Sequence, residues 1–223
     1  MQIKPKQIES LKSQYIKLTS DSRLYGLDIP VIGLTGGIAT GKSTVSGLFE
    51  KSGAAVVCAD NLIHTIYAKQ ETLDFIASKS PKVIEAGKIN FKILREEFFS
   101  IESLKTDIEQ YLYAHLPHAF KAAVAKNENP KFIIYDVPLL FEKSLQDKLD
   151  LSILVYASAQ TQIERLIKRD FITIELAKSI LKQQIPIDDK QELSDQIIEN
   201  IATIEELNIR FQYVTAFLFN KHI

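Results

Sequence analysis

The sequence of 223 residues holds a single cysteine, Cys58, so no intrachain disulfide staples the fold, and a reducing compartment suits it better than a secreted one. Excess positive charge is missing too. The 27 Lys and Arg against 28 Asp and Glu leave a formal net charge of −1, which offers no long-range attraction to nucleic acid or to an anionic membrane. No apolar run approaches the roughly 20 residues a membrane helix needs. The start of the chain carries Lys4 and Lys6 without the apolar core of a secretion signal. The four histidines, His64, His115, His118 and His222, lack the Cys/His spacing of a zinc site. Internal repeats and low-complexity tracts are absent, as is an asparagine/threonine-lysine-x-aspartate guanine signature after the fourth apolar run. These absences lead us to expect a soluble, cytoplasmic protein with no nucleic-acid or membrane partner and no transition metal; we further expect a monomer or weak homo-oligomer. The 46% hydrophobic content suffices for a real core.

What is present is a phosphate-binding pattern. Residues Gly36-Gly37-Ile38-Ala39-Thr40-Gly41-Lys42-Ser43 match G-x-x-x-x-G-K-S/T, between the apolar run Val31 to Leu34 and a helix-prone stretch from Thr44 to Lys51. Glycines let successive backbone N–H groups turn inward, making a concave anion nest that opens onto a helix N-terminus. In such a nest Lys42 reaches the β- and γ-phosphates of a nucleotide, and the Ser43 hydroxyl is placed to ligate Mg²⁺.

From Val31 onward short β-branched runs alternate with longer helical ones. The runs Val31 to Leu34, Ala54 to Cys58, Phe132 to Tyr135, Leu151 to Tyr156 and Gln196 to Ile198 read as five strands with little alternation. Strands of that kind are buried on both faces, so the expected fold is α/β, a parallel sheet covered by helices, with ligands at the strands' carboxyl ends. The stretch Asn61 to Asn129 is too long for a simple crossover and reads as a helical substrate-binding insertion. A second helical insertion, Gln160 to Leu193, carries Arg165, Lys168, Arg169, Lys178 and Lys182 and reads as a lid. Ahead of the first strand, in the leader Met1 to Asp28, Ile8, Leu11, Tyr15 and Leu18 fall three and four apart, as on one face of a short helix.

Phosphoryl transfer requires a phosphate cradle, a metal, a group that orients the acceptor, and cations that close over the phosphates. Asp60, just past the second strand, is placed either to orient or deprotonate a substrate hydroxyl or to cap the following helix. Asp136 ends the third strand, where it would hold the Mg²⁺ water shell or serve as a turn residue near Pro138. Arg165 and Arg169 share a helix face, directed either at phosphate oxygens or at solvent. Cys58 follows two valines and is expected to fill space as a small apolar group; Tyr111 and Tyr113 are expected to pack.

The segments together resemble a dephospho-coenzyme A kinase. The resemblance runs from about Val31 to Asn200. It rests on Gly33 to Thr44 and on the run Asp136-Val137-Pro138-Leu139-Leu140-Phe141-Glu142, with further echoes at Ala59-Asp60, Leu94-Arg95, Arg165 with Arg169-Asp170, Gln184, and Asp195 to Asn200. It implies a P-loop kinase-like three-layer α/β/α fold (residues 29–223, after a 1–28 extension) with a parallel five-stranded sheet, a helical acceptor-binding insertion (61–129) and a helical lid (160–193). It also implies transfer of ATP's γ-phosphoryl group to the ribose 3′-hydroxyl of dephospho-coenzyme A. Asp60 would orient that hydroxyl. The loop residues Gly36, Gly37, Ile38, Ala39, Thr40, Gly41, Lys42, Ser43 and Thr44 would hold ATP, and Ser43 and Asp136 the Mg²⁺. Arg165 and Arg169 would clamp phosphates, and Asn200 would lie by the adenine. Arg95 and the residues Pro138, Leu139, Leu140, Phe141 and Glu142 would meet the acceptor. The chain departs from the family pattern at Cys58 (aspartate), His64 (arginine), Ala39 (glycine) and Leu116-Pro117 (histidine-proline). The departures keep two alternatives in view: a non-catalytic ATP-binding regulator, and a related small-molecule or nucleoside monophosphate kinase with a changed acceptor.

Overall fold

The structure, a computed structural model, describes residues 7–221; Lys4, Lys6 and His222 lie outside the described residues. The chain begins with strand β1 (Ile8–Leu11), then β2 (Val31–Gly36), helix α1 (Lys42–Lys51) and β3 (Ala55–Cys58). Next come α2 (Ala59–Tyr67), α3 (Gln70–Lys79), the short strands β4 (Ile84–Glu85) and β5 (Lys88–Ile89), α4 (Phe91–Ser100) and α5 (Glu102–Val124). There follow β6 (Ile133–Asp136), β7 (Leu151–Tyr156), α6 (Ala159–Asp170), α7 (Ile174–Leu181), α8 (Ile187–Leu193), β8 (Gln196–Glu199), α9 (Ile204–Leu218) and β9 (Phe219–Lys221). Two compact units result, one from Met1–Cys58 with Asn127–Ile223, the other from Ala59–Lys126.

The first unit is built on a five-stranded sheet in the order β3-β6-β2-β7-β8, every neighbouring pair parallel. All six residues of β2 are buried, which explains the unbroken apolar run in sequence. Ile32, Leu34, Ile134, Ile153, Val155 and Ile198 form one core with Val45, Leu48 and Phe49 of α1 and Leu207, Phe211, Val214 and Leu218 of α9. Each such side chain contributes about 1.5–3 kcal/mol on leaving water. On the other face of β2, Gly33 leaves room for Leu140 and Leu149; a Cβ there would come within 2.6 Å of Leu149 Cδ1. Residues 160–193 belong to this unit, with Ile163 and Leu166 of α6 packed in one cluster with Ala177 of α7.

The leader corrects an expectation. Ile8 and Leu11 are buried on a strand, paired antiparallel with β9, not on a helix. The register slips between Ile8 and Ser10, and an extra residue in a strand brings positions three apart to the same face, which mimics a helical spacing. Farther along, Arg23 and Asp150 form a buried ion pair, Nε to Oδ2 at 2.7 Å.

The second unit is mostly helical, with a β4–β5 hairpin that breaks the helical pattern at Gly87, where φ is +74°. Its core holds Leu62, Ile66, Ile76, Val83, Leu94, Ile108, Leu112 and Phe120. Tyr111 stacks between Phe75 (4.2 Å) and His115 (4.1 Å), a packing role. Tyr113 lies nearly half exposed. Phe91 meets His64 and Tyr67 edge-on, and burial, then the charge of Glu109, pushes the Tyr67 phenol up to about 12.

Candidate active site

The carboxyl ends of β2 and β6 set the site in the first unit. Past Gly36 the chain turns through Gly37–Gly41 into α1, whose N-cap, Gly41, has φ +90°. Only a residue without a Cβ suits that place, because a side chain there would also overlap the Asn200 carboxamide. Thr40 closes the turn on itself, donating Oγ1–H to Gly37 O at 2.9 Å. Ala39 stands at φ +59°, in the left-handed region where alanine is strained by roughly 1 kcal/mol. The alternation of ordinary and left-handed backbone is what makes an anion nest.

Lys42 leads α1 and reaches back to pair with Asp136, a mostly buried carboxylate. Parallel registry places Asp136 beside Leu34 of β2 and Cys58 of β3, so the strand pairing itself brings a carboxylate to the nest. Ser43 and Thr44 stand exposed in the first turn of α1. Cys58 is half-buried at the end of β3.

Three side chains brace the loop from outside. Arg165 Nη1 lies 3.5 Å from both Ala39 O and Thr40 O, while its Nη2 donates to Asn200 O at 2.9 Å. Asn200 Nδ2 donates to Thr40 O at 2.8 Å. Gln184 Oε1 accepts the Ile38 N–H at 3.0 Å. Arg165 and Asn200 are thus brought to the loop, but onto its carbonyls. Arg169, one helical turn on, is exposed and paired with Asp170 at 2.7 Å.

The run after β6 divides by burial. Pro138 O accepts the Thr35 hydroxyl at 3.1 Å, Leu139 is exposed, and Leu140 and Phe141 belong to the core. Glu142 Oε1 accepts Ile185 N–H at 3.1 Å and lies 2.7 Å from Nζ of Lys190, a fully enclosed lysine. Sequence reading missed this pair and the brace from Gln184, since nothing around Lys190 in the charged run Asp188 to Glu192 marks it as buried.

In the second unit Asp60 is exposed in the first turn of α2, which starts at Ala59. It therefore lies inside the helix and not at its cap, where a carboxylate still suits the helix dipole. Arg95 is exposed on α4. Among the described residues no group of three or more His, Cys, Asp or Glu is placed to hold a metal, and no helix is long and apolar enough to cross a membrane.

A family model described as dephospho-CoA kinase matches residues 30–206. A dephospho-CoA kinase from Fusobacterium nucleatum is 34% identical over 183 residues, covering 81% of this chain and 94% of its own. One from Staphylococcus haemolyticus is 36% identical over 181 residues, covering 79% and 90%. The solved structure of a dephospho-CoA kinase from Campylobacter jejuni superposes with a TM-score of 0.62 at 26% identity, covering 83% of this chain and 95% of that one. The nest after β2, the aspartate that strand registry sets beside it and these likenesses agree: the chain belongs to the dephospho-CoA kinase family.

Proposed function

We propose that the protein transfers the γ-phosphoryl group of ATP to the ribose 3′-hydroxyl of dephospho-coenzyme A, releasing coenzyme A and ADP. The observation that carries this reading is the amide nest at the carboxyl end of β2 with Lys42 and Asp136 joined at it, in a chain of this family. The loop amides and Lys42 hold the triphosphate, Lys42 exchanging its carboxylate partner for phosphate oxygens. Ser43 and Asp136 supply the hard oxygen donors that Mg²⁺ takes together with phosphate and water, so the residues present fit that metal. When bound, Mg²⁺ offsets the charge that develops on the transferring group.

Asp60 accepts the hydroxyl proton as the ribose oxygen bonds to the γ-phosphorus and the bond to the β-phosphate bridging oxygen breaks, so that ADP leaves with the electron pair. The lid, residues 160–193, brings Arg165 and Arg169 onto the phosphates, Asn200 lies by the adenine, and closure excludes water, the competing acceptor. The helical insertion, residues 61–129, recognises dephospho-coenzyme A with Arg95, joined by Pro138 and Leu139, while Glu142 acts through its hold on Lys190 and Ile185. Leu140 and Phe141 support them from the core. The single cysteine favours the cytoplasm as its compartment.

The test is ADP release by the purified protein with ATP, Mg²⁺ and dephospho-coenzyme A. We expect Asp60→Asn to lower kcat by about 10²–10⁴ while leaving MgATP affinity nearly unchanged. ADP release that ignores the acceptor overturns the reading.

A further inference from the structure

We propose that Gln184 is a positioning residue that preorganises the phosphate nest by holding the Ile38 N–H and, through it, the left-handed backbone of Ala39. A backbone N–H can only donate, so the atom facing Ile38 must be the carboxamide oxygen, and the amide orientation is fixed by chemistry. The next residue is pinned in turn. Ile185 N–H donates to Glu142 Oε1, the same oxygen that lies 2.7 Å from the buried Lys190 ammonium. Ile187, 5% exposed, anchors the segment just beyond. Gln184 is thereby held from the far side by the loop that begins at Asp136, and its oxygen reaches the nest as a fixed post.

Ala39 needs such a post. It is the one alanine between Gly36 and Gly41, and its φ of +59° is a conformation glycine takes freely and alanine resists. On its carbonyl side Arg165 makes only long 3.5 Å approaches to Ala39 O and Thr40 O. Asn200 holds Thr40 O at 2.8 Å and Thr40 Oγ1 closes on Gly37 O at 2.9 Å, while on the amide-side flank the Gln184 bond to Ile38, at 3.0 Å, is shorter than either Arg165 approach. Strain of this kind persists only where the surroundings over-determine the backbone. The inference rests on the reading of the loop as the nucleotide site.

The experiment is calorimetric titration of MgADP and MgATP into four proteins: the wild type, Gln184→Met, Ala39→Gly and the double variant. Methionine keeps the side chain's length and lacks the acceptor. Release of an alanine-strain penalty of the usual size predicts about fivefold weaker nucleotide binding for Q184M. The same Q184M change in the A39G background is expected to cost less than about twofold, because glycine holds φ > 0 unaided. A purely structural role for Gln184 would not be rescued by glycine 145 residue positions away, and thermal melts of all four proteins separate loss of fold from loss of nest. Tighter binding by Q184M, or an equal loss in both backgrounds, overturns the proposal. A wild type that binds no nucleotide refutes the site assignment instead.

Discussion

Replacing Arg23 by methionine tests how the segment before β2 is tied to the sheet. The Arg23 and Asp150 side chains are 3% and 0% exposed. The guanidinium places Nε on Asp150 Oδ2 at 2.7 Å, Nη2 on Oδ1 at 3.1 Å and Nη1 on Leu27 O at 2.8 Å. Asp150 also accepts the N–H groups of Lys17, Leu18 and Val31. Burial pushes this carboxyl up, but the Arg23 hydrogen bond, then the Val31 and Leu18 amides and the guanidinium charge, outweigh it and hold the group below the usual range. Methionine leaves a buried carboxylate with its three amide donors but no counter-charge, a loss of about 3–5 kcal/mol, equivalent to roughly 6–20 °C in Tm for a chain of this size. Differential scanning calorimetry at pH 7 reads it. The double variant R23M/D150N should lose less than the sum of the singles, since it strands no charge. Because the folded pKa is depressed, the stability from this carboxylate is full above its unfolded pKa and fades as pH falls through the folded one. The gap between wild type and R23M should therefore narrow on acidification. A loss under about 1 kcal/mol, additive singles or a gap independent of pH would refute the reasoning, since each contradicts the cost of an unpaired buried charge.

Two further outcomes follow from single residues. Lys42→Met removes the cation that joins nest and Asp136, and steady-state assays should show kcat lowered by at least about 10²-fold; an active K42M would contradict the phosphate role. Phe171, at the end of α6, has φ +54° and is 93% exposed. Its replacement by glycine should stabilise the protein by about 0.5–1 kcal/mol, seen as a higher Tm in the same calorimeter, and a lower Tm would show that the ring is held by a contact.

Legibility in the sequence tracked how local the cause was. The glycine spacing and Lys42-Ser43 are covalent neighbours, so the nest and its helix could be read directly, and the five apolar runs announced a sheet buried on both faces. Asp136 was recognisable as a candidate at a strand end, yet its pairing with Lys42 depends on β6 lying beside β2, a parallel pairing that no local pattern fixes. The leader misled because a register slip in β1 copies helical spacing.

Arg165, Asn200 and Gln184 each carry a polar group long enough for phosphate, and chain position says nothing of which atoms of the loop they meet. The sequence by itself determined where the nest forms, which lysine follows it, and that β-rich and helical stretches would alternate, because those follow from torsional freedom and side-chain periodicity over a few residues. Only the tertiary structure decided that Ala39 is strained, that Gln184 caps Ile38, and that Lys190 lies buried against Glu142. Those depend on contacts between residues far apart in the chain, and such contacts exist only once the sheet order has been chosen.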